Sequence, residues 1–77
     1  MKTLENSAGR VTVKGIVGGK GLLRRLFDMG IYPSQKIEVL TNRPQVVVKL
    51  GDTKIALSRG IAKKIVVEED PVEQEEP

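Results

Sequence analysis

The chain has 77 residues, room for one domain, and a chain of this size buries only about 60 % of the surface its unfolded form exposes. It contains neither cysteine nor histidine, which removes disulfides, thiolate metal sites, the commonest imidazole ligand and the usual general base at neutral pH. The net charge of +3 conceals an asymmetry: residues 8–67 carry twelve Lys/Arg against three acids (Asp28, Glu38, Asp52), while residues 68–77 carry six acids and no base.

Residues 1–8 read as a lead-in. Met1-Lys2 is followed by polar Glu5-Asn6-Ser7, which is not a signal peptide. Aliphatic runs such as Val46-Val47-Val48 stop at three residues, against roughly 20 for a bilayer span. The expectation is a cytoplasmic protein without direct membrane insertion.

Gly9–Val17 reads as a first strand, with Val11, Val13 and Val17 inward. Glycines 15, 18, 19 and 21 then break regular structure. Residues 20–29 read as the one substantial helix: Leu22, Leu23, Leu26 and Phe27 form a single apolar stripe, with Arg24, Arg25 and Asp28 opposite. Gly30 stands at the C′ position and Pro33 prevents the helix resuming. The pattern then changes to period two. Lys36–Thr41 turns Ile37 and Val39 to one side, Asn42-Arg43-Pro44 reverses the chain, and Gln45–Leu50 follows with Val46, Val48 and Leu50 on one face. Gly51-Asp52 is a two-residue hairpin signal, leading to Thr53–Ser58 with Ile55 and Leu57 inward. Ser58 caps a single turn through Gly60-Ile61-Ala62, and Lys64–Glu68 closes with Ile65 and Val67 inward. Five short strands with so little helix predict a mostly β fold, a closed or nearly closed barrel spanning residues 9–67. Residues 68–77 form an acidic tail with too few apolar side chains to offset the entropy of ordering, and are expected to be disordered.

Candidate chemistry is sparse. Gly18-Gly19-Lys20-Gly21 precedes a helix, yet Gly21 follows Lys20 where a phosphate-binding loop needs Ser or Thr, and Arg24 stands where a dinucleotide fingerprint needs glycine. The cations at 20, 24, 25, 36, 54, 59, 63 and 64 could neutralise phosphates. Stacking on single strands wants aromatics, however, and only Phe27 and Tyr32 are present, while the acidic tail competes for the same patch. A solvated or protein-binding surface is favoured over nucleic acid. No spaced ligand cluster points to a resident metal, and no intrinsic cofactor is expected.

The stretch Gly19-x-Gly21-x-x-x-Arg25-Leu26-x-x-Met29-Gly30-Ile31-x-Pro33 resembles the signature of the ferrous iron transport protein A (FeoA) family. Ile37-x-Val39-Leu40, Val46-x-Val48, Ile55-Ala56-Leu57 and Ala62-x-x-Ile65-x-Val67 follow in register, over about residues 9–67. The resemblance implies a small SH3-like β-barrel with a helix inserted after the first strand. It also implies a non-enzymatic accessory partner to a membrane ferrous iron transporter with a GTPase domain, iron being held by that partner. Lys20, Arg24, Arg25, Asp28 and Tyr32 are the candidate partner-binding residues. Gly19, Gly21, Leu22, Leu26, Phe27, Met29, Gly30 and Pro33 are assigned to structure, with Leu22, Leu26, Phe27 and Met29 in the core. The alternatives are a metal-responsive regulatory domain, self-association being compatible with it, or a nucleic-acid-binding basic barrel. Three features depart from the family pattern: Pro33-Ser34 where Pro-Gly is usual, an apolar leader reduced to Leu4 and Ala8, and the acidic tail.

Overall fold

Five runs with Val, Ile or Leu at every second position become five antiparallel strands in the computed structural model, which describes residues 1–70. They are β1 (Gly9–Ile16), β2 (Lys36–Thr41), β3 (Val46–Leu50), β4 (Thr53–Leu57) and β5 (Ile65–Glu69). Helix α1 (Lys20–Asp28) follows β1, a one-turn helix α2 (Arg59–Ala62) precedes β5, and a 3-10 turn over Leu4–Asn6 leads into β1. The Ser58 hydroxyl accepts the Ile61 N–H at 3.2 Å and so caps α2. Leu50 pairs with Thr53 across the Gly51-Asp52 hairpin, where Gly51 takes φ +58.

Hydrogen bonding orders the strands β4-β3-β2-β1-β5. The expectation of a closed barrel is corrected here, because β4 and β5 do not pair and the sheet is open. The free side of β5 is taken instead by the N-terminal segment: Thr3 bridges Val66, and the Val67 N–H donates to the Lys2 carbonyl at 2.9 Å. Covering an edge in this way satisfies its backbone groups without closure.

Period-two alternation places the core as the sequence implies. Val11 and Val13 of β1, Ile37 and Val39 of β2, Val46 and Val48 of β3, Leu57 of β4 and Ile65 and Val67 of β5 are all buried, joined by Leu4, Leu26, Ile31 and Ala62. Leu50 and Ile55 pack against this core from half-buried positions. Val17 departs, at 58% exposed. The pairing of β1 with β5 shifts register between Val13 and Gly15. One extra residue reverses the alternation, so Ile16 packs on the core and Val17 faces water.

The ends are better ordered than composition suggests. Strand β5 runs through Glu69, so Glu68 and Glu69 belong to the sheet, and the Asp70 N–H ties the next residue to it by donating to the Arg10 carbonyl at 3.0 Å. The rest of the expected tail, residues 71–77, lies outside the described residues. In the lead-in, Leu4 is fully buried and the Ser7 hydroxyl donates to the Thr3 carbonyl at 2.6 Å.

Candidate functional site

Helix α1 starts where Gly18-Gly19 ends the β1 strand direction; Gly19 is its N-cap, in extended conformation. An α-helix advances about 100° per residue, so Leu22 and Leu26 share one line of the surface while Leu23 and Phe27 share a neighbouring one. The fold divides the single apolar stripe along that boundary. Leu26 is buried and Leu22 is half-buried against the core, whereas Leu23 is 37% exposed and Phe27 61% exposed. The assignment of Phe27 to the core is therefore corrected, and Met29, at 37% exposed, is also at the surface. The reason is geometric: an arc of four large side chains on a nine-residue helix is wider than the strip the sheet can cover.

Residues 20, 23, 24 and 27 follow i, i+3, i+4, i+7 spacing and line one shallow depression with Ile16, Tyr32 and Pro33, about 340 Å³ in volume. Its floor is apolar and its two charged residues, Lys20 and Arg24, are both cations. The Phe27 and Tyr32 rings lie 5.2 Å apart between centroids at an interplanar angle of 42°, a tilted aromatic pair. Three of the five candidate residues thus come together: Lys20, Arg24 and Tyr32.

The other two do not join them. Arg25 lines a separate depression of about 170 Å³ on the opposite flank of the helix, with Leu22, Leu26, Met29 and residues of β4 and α2. Asp28 lines neither. Sequence reasoning missed Leu23 and Phe27 as surface residues, although their i, i+3, i+4, i+7 spacing with Lys20 and Arg24 carries the signal. Among the structural residues, Gly30 has φ +91 and needs the left-handed region, while a Cβ at Gly19 or Gly21 would meet nothing within 4 Å.

Charge reinforces the picture. Among the described residues the ion pairs are Lys2–Glu69, Lys14–Glu68, Lys36–Asp70 and Arg59–Glu5, and none involves Lys20, Arg24 or Arg25. The α1 cations are thus without an acidic partner among those residues. No cluster of three or more His, Cys, Asp or Glu that could hold a metal ion occurs among the described residues. No helix there is long and apolar enough to cross a membrane.

The FeoA domain family model matches residues 6–69. A Methanocaldococcus jannaschii protein named as a candidate Fe(2+) transport protein A is 40% identical over 60 residues, which is 77% of this chain and 73% of the relative. Among solved structures, zinc-bound FeoA of Stenotrophomonas maltophilia, described as a prokaryotic SH3 domain protein, superposes with a TM-score of 0.70 at 21% identity, covering 88% of this chain and 91% of that one. Zinc-bound ScaR superposes with a TM-score of 0.82 at 23% identity over 91% of this chain, but this chain spans only 37% of ScaR. The five-stranded sheet with its inserted helix is thus SH3-like, and the chain belongs to the FeoA domain family.

Proposed function

We propose that this chain is a non-enzymatic accessory protein of ferrous iron uptake that works in the cytoplasm, binding the cytosolic GTPase region of a membrane ferrous iron transporter. The observation that carries this reading is the depression on α1, where exposed Phe27, half-buried Tyr32 and Leu23 share a lining with two cations that have no described acidic partner. Large apolar side chains rimmed by charge are a signature of protein–protein contact. Family membership supports iron transport as the process served. Iron enters this reading as cargo handled at the transporter's own site.

The test is binding of the transporter's purified cytosolic region. Wild-type protein is expected to bind it. Lys20→Glu/Arg24→Glu is expected to weaken binding about tenfold or more with an unchanged melting temperature, through loss of electrostatic complementarity. Arg25→Glu, on the other flank, is expected to have little effect. Absence of binding by the wild type refutes the reading.

The fold shared with the manganese regulator SloR and the metal-dependent transcriptional regulator MtsR supports a second reading, a metal-responsive regulatory domain. Calorimetric titration with ferrous iron or manganese separates the two, since stoichiometric micromolar binding to this chain alone favours the regulator.

A further inference from the structure

We infer that the carboxylates at the end of β5 are an intramolecular competitor that keeps the outer face of the sheet from binding nucleic-acid phosphates. The inference does not depend on the transporter reading.

Strand register assembles the face. Thr12 of β1 lies opposite Lys36 of β2 on one side and Glu68 of β5 on the other. Arg10 lies opposite Glu38, which in turn lies opposite Lys49 of β3. With Val11 and Val13 buried, alternation turns Arg10, Thr12 and Lys14 outward. Arg10, Lys36 and Lys49 also line one depression of about 370 Å³ with Glu38 and Asp70. Lys54 of β4 lies opposite Lys49, so five cations share one open, twisted sheet face, which has the character of a phosphate-binding surface.

Strand β5 answers this charge at close range. Glu68 Oε1 lies 3.5 Å from Lys14 Nζ, and Asp70 Oδ2 lies 3.5 Å from Lys36 Nζ. Asp70 is held in place by its backbone pairing to Arg10 and by the Thr12 hydroxyl, which donates to Oδ1 at 2.9 Å. Exposed ion pairs add little to stability, so the effect of this row lies elsewhere. A phosphate that approaches Lys14 or Lys36 must displace a carboxylate already in contact. Each cation freed to neutralise a phosphate adds about 0.9 to the salt slope of binding. Among the described residues, with Glu68 and Asp70 ionised, five cations share this face with three acids; without those two, they share it with Glu38.

The test is fluorescence anisotropy of a labelled mixed-sequence DNA duplex at several salt concentrations. Glu68→Gln/Asp70→Asn is expected to bind about tenfold or more tightly than wild type at low salt, with a log–log salt slope steeper by about two. Asparagine at position 70 can still accept the Thr12 hydroxyl. Glu5→Gln/Asp28→Asn makes the same net charge change away from this face, and is expected to gain far less. Equal gains in the two double variants overturn the inference, because net charge alone then explains them. No gain in the first variant, with its fold verified by thermal melting, also overturns it. Glu68→Gln alone leaves the Thr12–Asp70 bond in place and is expected to give about half the slope change. It decides the matter if the double variant does not fold.

Discussion

The backbone N–H of Ile31 donates to the carbonyl of Leu26 at 2.8 Å, and both side chains are buried. The Gly30 N–H donates to the Phe27 carbonyl at 2.9 Å, so two orphan carbonyls at the end of α1 are satisfied by one reversal of the chain. This is the double-bonded helix stop that requires a left-handed residue as the first of its two donors. Gly30, at φ +91, supplies it. A Cβ there would make only ordinary contact, 3.7 Å from Leu50 Cδ1, so the cost of adding one is conformational. Gly30→Ala is expected to destabilise the fold by about 1–2 kcal/mol, read from the midpoint of urea unfolding. An unchanged midpoint contradicts the assignment.

Ser34 bears the same strain without relief. It is the non-glycine residue with positive φ, +79, among the described residues. Its conformation is imposed from both sides: the Ser34 N–H donates to the Val13 carbonyl at 2.8 Å, and the Val13 N–H donates to the Gln35 carbonyl at 2.9 Å. Ser34→Gly relieves a left-handed penalty but adds unfolded-state freedom, so the expected gain is about 0.5–1 kcal/mol. Chemical denaturation checks it, and a loss of stability argues against strain at this turn.

The lead-in is a working part of the core. Leu4 is fully buried, and its segment is tied down by Asn42 Nδ2, which donates to the Ser7 carbonyl at 2.8 Å, and by the Arg59–Glu5 pair at 3.9 Å. Leu4→Ala is expected to cost about 2–5 kcal/mol. Ala8→Ser, at an exposed position, is expected to change stability by less than about 0.5 kcal/mol. Thermal melts of the two variants provide the comparison.

Element order and strand faces were legible because period-two alternation and glycine punctuation act locally: Ile37, Val39, Val46 and Val48 could face nowhere else. What composition concealed were decisions made between elements. The bulge near Gly15 turns Val17 outward, and the N-terminal segment takes the edge of β5 that barrel closure would have used. Glu68 and Glu69 read as tail because charge argues against burial, yet an exposed strand end tolerates carboxylates that meet lysines. In the candidate site, Lys20, Arg24 and Tyr32 were recognisable from charge and aromaticity. Phe27 was not, because hydrophobicity alone does not distinguish a core side chain from a contact side chain.

That distinction is open to direct measurement through two neighbours on α1. Leu26 is 1% exposed and Phe27 is 61% exposed. Leu26→Ala removes a packed core side chain and is expected to cost about 2–5 kcal/mol. Phe27→Ala removes a surface ring whose described aromatic neighbour is Tyr32, a pairing worth about 0.5–1.5 kcal/mol, so its effect on stability should be markedly smaller. If the α1 depression is where the transporter region docks, Phe27→Ala weakens that binding about tenfold or more, as expected for an aromatic anchor at an interface. Stability comes from denaturation and affinity from titration of the same samples. A Phe27→Ala protein that unfolds as readily as Leu26→Ala returns the ring to the core. One that stays stable and binds normally removes Phe27 from the contact surface and leaves the two cations to account for it.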